Sequence, residues 1–519
     1  MPTPGPSAVA VPGLRRNMVT ICAMTATIMQ ALDTTIANVA LPYMQGTLSA
    51  AQDQINWVLT SYIVAAAIMT APVGWIANRF GRKRIFIICS AGFTFASVLC
   101  GLAQDINQMV LFRLLQGVFG AALVPLSQAV MLDSYALHER AKAMSIWGMG
   151  VMMGPIMGPS LGAWLTETYS WHWVFFVNLP FGIFTVLGLV IFMDETKKDA
   201  NLRFDWFGFT ALAIAIGSLQ LALDRGEQLG WLESSEIIGE FIVSAVGFYY
   251  FFAHSFTTSK PFIQFALFRD KNFVGGCVFM AVMGLVLYST MALSSPFLQN
   301  VIGYPIITAG VLLASRGCGT FVAMMLVGRA MRYLEARTLI ICGLSLTTAS
   351  LLGMTGWTDQ TGVNEIVVIS VVQGFGFGLV FVPLSTVAFL TLPNDLRTDG
   401  TSMLTLMRNV ASSIGISIVI SQLTQGSRRV YAVLSESVTP FNHAMQMPNV
   451  RGMIDMSTDA GRAMADAMGK VQAQIIAFSQ DYQLVMIFIL VSIPLTFMIG
   501  STKATLRAQS AAPDHAVIE

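Results

Sequence analysis

Runs of about 20 or more apolar residues recur along this chain, and each is long enough to cross a bilayer as a helix. Residues 364–391, NEIVVISVVQGFGFGLVFVPLSTVAFLT, are one example. The runs constrain the fold more than any other feature, and the composition agrees with them. Of 519 residues, 55% are hydrophobic and 11% are charged, against about 25% charged in soluble domains. The expectation is an all-α integral membrane protein. A net charge of +1 argues against nucleic acid as a partner. The only Gly-Lys pair, Gly469-Lys470, is followed by Val471, so no phosphate-cradling loop of the Gly-Lys-Ser/Thr type is present. The histidines are scattered singly without metal-ligand spacing, and no cofactor is expected. The cysteines, Cys22, Cys89, Cys100, Cys277, Cys318 and Cys342, all fall in apolar runs and read as small packing residues.

Fourteen spans are expected, near 18–41, 55–77, 85–103, 107–131, 143–165, 172–193, 205–224, 235–254, 272–298, 306–328, 338–356, 364–391, 401–422 and 482–502. Lys and Arg placement supports this number. With the N-terminus in the cytoplasm, the inside segments hold 20 of the 29 basic residues, and the short outside loops hold only Arg225. An internal repeat follows. LLQGVFGAALVPLSQAV (114–130) and VVQGFGFGLVFVPLSTVAF (371–389) share Gln-Gly, Gly and Pro-Leu-Ser, with one extra residue in the second copy. The two lie eight spans apart, as two six-helix bundles with two inserted helices would place them. Bundles related in this way meet at a central cavity near the bilayer midplane. The expected division is a disordered tail at 1–17, a six-helix bundle at 18–193, two inserted helices at 205–254, and a second bundle at 272–502. That second bundle carries a long outer loop at 423–481 and is followed by a tail at 503–519.

Charges inside the spans are the candidate functional groups, because each is expensive there. Asp33 in QALDTTIANVALP is too deep to reach water on a short side chain. A carboxyl pulled one way by burial and the other by a nearby cation can gain and lose a proton. A structural ion pair or a helix cap are the other readings. Arg113 must face a wet cavity, find a partner, or reach to the outer surface; Gln116 shares its face. Gln30, Asn38, Gln116, Gln128, Arg408 and Asn409 add polar atoms to spans one, four and thirteen and are the candidate cavity lining. Arg316 is a further cation in span ten, and Asp224-Arg225 reads as a structural cap. In span five Gly150, Gly154, Gly158 and Gly162 form a bare face for close helix packing, and Pro155 and Pro159 each remove a backbone donor. The loop GWIANRFGRKR offers Gly81 for a tight turn and a cluster of cations. In the outer loop, Met464, Met468, Val471 and Ile475 recur at helical spacing, which suggests a helix lying on the membrane, against a partner, or packed on the surface of this protein itself.

Taken in order, seven segments resemble the major facilitator superfamily, and most closely its 14-span drug:proton antiporters of the EmrB type. They are LDTTIANVALP, GWIANRFGRKR, LFRLLQGVFGAA, GMGVMMGPIMGPSLG, WHWVFFVNLPFG, SLQLALDRG and SESVTPFN. The resemblance implies proton-coupled export of varied hydrophobic drugs or toxins across a bacterial inner membrane, with both termini cytoplasmic. It implies coupling through Asp33 and Arg113, and a gating loop at Gly74, Asn78, Arg79, Gly81, Arg82 and Lys83. It also implies an antiporter helix carrying the Gly150–Gly162 stripe with Pro155 and Pro159, and a periplasmic adaptor with an outer-membrane channel as partners. Asn78 departs from the family pattern, which has aspartate there, so a salt-bridge latch through that position is in doubt. Transport of one specific metabolite, or a non-transporting receptor or scaffold, are the alternative functions.

Overall fold

A computed structural model describes residues 13–498 except 137–138, 197, 199–201, 259–260, 394–395, 440–441, 444–446, 448–453 and 455, with the side chains of 52, 53 and 155 also undescribed. Fourteen long helical segments follow one another. They are α1 (Gly13–Thr47), α2 (Trp57–Thr70 and Val73–Phe80, bent by 56°), α3 (Arg82–Gly101), α4 (Ile106–Gly120 and Leu123–Ser134), α5 (Arg140–Thr168), α6 (Trp173–Phe176 and Asn178–Phe192), α7 (Trp206–Leu229), α8 (Ser235–Thr257), α9 (Lys271–Pro296, ending in the π-turn Phe297–Val301), α10 (Ile306–Ala330), α11 (Ala336–Met354), α12 (Val363–Val387), α13 (Arg397–Ser437) and α14 (Asp459–Ser492). Among the described residues twelve helices are long and apolar enough to cross a membrane, and the bent α2 makes thirteen. The remaining segment, α5, is 29 residues long and diluted by Gly and Pro. Fourteen spans are compatible with this architecture.

The repeat seen in the sequence reappears in the packing. In the first half α1 packs on α4, α5 and α6, α4 packs on α2 and α3, and α3 packs on α6. Adding eight to each number gives the second half: α9 on α12, α13 and α14, α12 on α10 and α11, and α11 on α14. The paired Gln-Gly sites show the reason. A Cβ on Gly117 would lie 2.5 Å from the Tyr62 carbonyl of α2, and a Cβ on Gly374 would overlap the Arg316 carbonyl of α10. Each glycine lets two backbones touch, so the match in sequence is a match in helix contact. The copies differ at the extra residue: α4 breaks at Ala121-Ala122, whereas α12 runs through. The two halves meet through α5 on α10 and through α2 on α13, a pair of contacts related by the same offset. The hairpin of α7 and α8 packs its first helix on α2 and α13, across that seam. Asp224 and Arg225 serve this packing: Asp224 accepts a hydrogen bond from Thr60 of α2, and Arg225 pairs with Glu236 of α8.

The ends of the helices correct several expectations. Residues 13–17, placed in a disordered tail, are the first turn of α1; residues 1–12 and the tail at 503–519 lie outside the described residues. Most of the expected outer loop at 423–481 is helix. α13 continues to Ser437 and α14 starts at Asp459, with Thr458 capping it by accepting from the Gly461 N–H. The Met464/Met468/Val471/Ile475 stretch does not lie along the membrane; it is the start of α14 and packs against the extension of α13. Tyr431 donates to Asp466, Lys470 pairs with Asp466 at 2.7 Å, and the Lys470 ammonium lies 6.0 Å from the Tyr431 ring centre.

The glycine face of α5 seats α1. A Cβ on Gly154 would overlap the backbone of Ala31, one on Gly158 would overlap Thr35, and one on Gly162 would come within 2.9 Å of Ile36. Thr35 Oγ1 also donates to the Gly154 carbonyl at 3.0 Å. Gly150 differs, because a Cβ there meets Ile28 and Met24 at an ordinary 3.6 Å. Gly154→Ala is therefore expected to cost about 1–3 kcal/mol through overpacking, while Gly150→Ala leaves stability unchanged. Thermal unfolding of the two purified variants checks this; equal midpoints would remove the close-packing role of the stripe.

Candidate functional site

Asp33 and Arg113 find each other. Both are fully buried, and Arg113 Nη1 donates to Asp33 Oδ2 at 2.7 Å. The pair is enclosed by five helices. Gln116, one turn along α4, donates to Asp33 Oδ1 at 2.7 Å and accepts from Arg113 Nη1 at 2.8 Å. Asn178 at the start of α6 donates to Asp33 Oδ1 at 3.2 Å and to Ser97 Oγ of α3 at 3.0 Å. Ser97 in turn donates to the Phe175 carbonyl at 2.9 Å. Arg113 Nε donates to the Val58 carbonyl of α2 at 3.0 Å. The guanidinium carbon lies 4.3 Å from the Tyr62 ring centre and 5.6 Å from that of Phe175. Seven residues from the start of α4, Arg113 is about 10 Å below the end of its helix. The carboxylate has donors on both oxygens, and the cation has an acceptor on each side and an aromatic face. Such satisfaction is what a buried ion pair requires.

Of the three readings open for Arg113, a wet cavity, a partner or the outer surface, the partner fits: a carboxylate, an amide and a backbone carbonyl satisfy it inside the first bundle. Gln116, expected in the cavity lining, belongs to the same cluster. Gln30 lies beside it, with its amide donating to Tyr62 Oη at 3.3 Å. Asn38 is exposed farther along α1, and Gln128 is buried in α4 with its amide nitrogen unpartnered among the described residues. Arg408 and Asn409 are half-buried and bond to each other at 3.4 Å on α13. The six polar candidates thus do not form one cavity wall. The space between α5, α9 and α10 is about 30 Å³, bounded by Met152, Pro159, Met291, Leu313 and Arg316, which is room for one or two waters. Arg316 Nη2 reaches Ser294 Oγ at 3.4 Å, and its Nε is unpartnered among the described residues.

At one end of the molecule charged groups join the two halves. Gly81 turns the α2–α3 connection at φ +94°, a conformation favouring glycine. The turn aims Arg82 at Asp133 on α4, and Arg397 of α13 reaches the other oxygen of Asp133 at 2.9 Å. One carboxylate therefore joins cations from both halves. Beside it Asn78 donates to Asp399 of α13 at 3.5 Å, and Gly74 leaves room for the Asp399 side chain, which a Cβ would overlap. Arg79 donates to the Leu202 carbonyl and Lys83 to the Val190 carbonyl at 2.8 Å. The residues expected in a gating loop are thus gathered at the seam, and the salt bridge runs through Arg82 rather than position 78. Asp133, Arg397 and Asp399 escaped the sequence reading because charges at helix ends resemble ordinary topology signals. Asn178 sat in a quoted segment but carries no charge to mark it.

If this network closes the basic end, loosening it exposes the seam. In a background without the six cysteines, Asp133→Asn is expected to raise the labelling rate of a Ser402→Cys variant by a water-soluble maleimide about tenfold. Ser402 is buried on α13 in the turn after Asp399. An unchanged rate would show that the ion pairs do not hold this end closed.

Comparison with known proteins agrees with this geometry. The Major Facilitator Superfamily model matches residues 23–416. The chain is 33% identical over 466 residues to the multidrug export protein EmrB of Escherichia coli (strain K12), covering 89% of this chain and 90% of that one. It is 32% identical over 426 residues to the fatty acid resistance protein FarB of Neisseria gonorrhoeae, covering 82% and 84%. Its fold is similar to the crystal structure of the human organic anion transporter MFSD10 (TETRAN), with a TM-score of 0.59 at 12% identity, covering 91% of this chain and 99% of that one. With the repeated six-helix packing and a family match over most of its length, this chain is a multi-pass membrane transporter and belongs to the major facilitator superfamily.

Proposed function

We propose that the chain is a proton-coupled antiporter that exports structurally varied hydrophobic compounds across a bacterial inner membrane. Both termini lie in the cytoplasm in this reading, and the units are 18–193, 205–254 and 272–502. The printed names of the relatives, multidrug export and fatty acid resistance, support the export of apolar or amphipathic substrates. The observation that carries the coupling is the buried Asp33 carboxylate, with Arg113, Gln116 and Asn178 on its two oxygens. Protonating Asp33 removes the charge that holds Arg113 and leaves the amides competing for fewer lone pairs. The cluster then needs water or substrate to satisfy it. Deprotonation restores the ion pair and closes the cluster again. The closed basic end and the near-absent space around Arg316 fit one stage of an alternating-access cycle. The paired extensions of α13 and α14 are the surface we assign to a periplasmic adaptor, which would pass substrate to an outer-membrane channel.

Asp33→Asn keeps the shape and removes the titrating group. In liposomes holding the purified full chain, dye export driven by an imposed pH gradient should fall at least about tenfold, while the protein still inserts. Gradient-driven export at the parental rate would reject Asp33 as the coupling group. Arg113→Lys keeps the charge but cannot serve Asp33, Gln116 and the Val58 carbonyl together. Its export should lie between that of the parent and Arg113→Ala, and equal export by all three would remove Arg113 from the cycle. For the adaptor, deleting 459–470 together with 426–437 should lower whole-cell resistance but spare liposome export. Loss of both would assign the extensions to the transporter's own fold.

A further inference from the structure

A second site lies away from the Asp33 cluster, at the basic end, where the inserted hairpin meets the gate. A cavity of about 640 Å³ opens there between the end of α2, the segments before α7 and α9, the end of α8, and the start of α13. Its wall mixes aromatic and polar groups, with Trp75, Phe256 and Phe262 beside Arg203, Arg269 and Ser255. Both arginines are exposed, and neither is in an ion pair among the described residues. Ser255 is buried at 3% exposure, yet its hydroxyl has no hydrogen-bond partner among the described residues. Ser255 lines the cavity with its hydroxyl buried, and a buried hydroxyl left without a partner is one that a water or ligand group can complete.

Two carboxylates also line the cavity, and both have counter-groups. Asp205 accepts from the N–H groups of Gly208 and Phe262 at 2.9 and 3.1 Å and from His254 Nε2 at 2.9 Å. Asp399 accepts from Asn78 and lies two residues from Arg397, close to the Arg82 side chain. Among the described residues, Arg203 and Arg269 are the cavity's cations without an ion-pair partner.

We propose that this cavity binds an anionic phospholipid of the leaflet at the basic end. Its phosphate lies between Arg203 and Arg269, Ser255 bonds an ester oxygen, and the acyl chains run along α8. The outer face of α8 argues for a lipid rather than a soluble anion. Tyr249, Phe252 and Phe256 recur along it at 69%, 47% and 75% exposure. Phe256 belongs both to that face and to the cavity wall, so the cavity opens onto hydrocarbon. Basic pockets between spans at this depth suit phosphate headgroups. Asn78 of α2 and Asp399 of α13 share the wall, so a bound lipid touches both halves and the inserted hairpin together. It favours the arrangement in which the basic end is closed. This reading rests on the membrane location alone and is independent of proton coupling.

The test is native mass spectrometry of the purified full chain with dioleoylphosphatidylglycerol, dioleoylphosphatidylcholine or inorganic phosphate. The parent should retain phosphatidylglycerol in preference to phosphatidylcholine. Arg203→Gln/Arg269→Gln should weaken that binding about 30-fold, about fivefold for each cation lost at a membrane surface. Ser255→Leu, which fills the cavity without changing charge, should weaken it as well. Arg332→Gln, which removes an exposed charge from another connection at the same end, should not. Equal loss in Arg332→Gln would reduce the effect to general surface charge, and equal retention of phosphatidylcholine would remove the anionic preference. Displacement by millimolar inorganic phosphate would assign the site to a soluble anion. Each of those three results overturns the proposal.

Discussion

The Asp33–Arg113 pair is the constraint around which the first bundle is arranged. An arginine or aspartate alone at such depth costs roughly 2.5–3.5 kcal/mol on insertion scales, and removing one partner of a buried pair costs about 3–5 kcal/mol. The protein meets this by bringing five helices to one point. α1 supplies the carboxylate, α4 the guanidinium and Gln116, α6 the Asn178 amide, α3 the Ser97 hydroxyl and α2 the Val58 carbonyl and the Tyr62 face. The glycine face of α5 presses on α1 at Ala31, Thr35 and Ile36, on either side of Asp33. The helix that carries the carboxylate is thereby held in register. The second bundle has no equivalent pair. By the Gln-Gly alignment, Ser370 and Gln373 stand where Arg113 and Gln116 stand in the first. Both are buried, and among the described residues Gln373 finds only the Met354 sulfur at 3.9 Å. Two halves of one architecture have therefore diverged in where they keep charge.

The same economy of contacts governs the seam. Along α5 and α10 the packing is tight throughout: Ser145 donates to the Met324 carbonyl, a Cβ on Gly317 would overlap Ile156, and one on Gly310 would come within 3.2 Å of Ser160. Between α2 and α13 the direct contact is concentrated at the basic end, around Gly74, Asn78 and Asp399. Toward the other end α7 intervenes, with Thr60 bonded to Asp224 and Gln220 bonded to Ser413 at 2.8 Å. The inserted hairpin thus joins the halves where they do not touch.

Much of the architecture was legible in the sequence because the signals are large. Run length marks the spans, basic residues alternate from one connection to the next, and the Gln-Gly repeat records a backbone contact that only glycine permits. Asp33 and Arg113 stood out for the same reason, since charge in an apolar run must be compensated. Their partners did not stand out. Asn178 and Ser97 are uncharged, and the Val58 carbonyl has no side-chain signature at all. The extension of α13 was hidden as well: SQLTQGSRRVYAVLSES has no apolar face wide enough to signal a helix. Its helicity comes from packing on α14, at Tyr431–Asp466 and where a Cβ on Gly426 would lie 3.5 Å from Ala477. At the gate, Arg82 and Arg397 look like ordinary inside charges until the fold places Asp133 between them.

The 41 residues of α13 give a rod about 60 Å long, twice the roughly 30 Å of a bilayer's hydrocarbon. One end carries Arg397 and Asp399 at the seam, and the other stands clear of the membrane, splinted by α14. A rod pivoting near the bilayer centre behaves as an unequal lever. A tilt of about 10° that separates Arg397 from Asp133 by a few ångström swings the far tip by about 7 Å, taking 1.5 Å of rise per residue. Any such tilt at the Asp133 end is therefore mechanically amplified at the far tip.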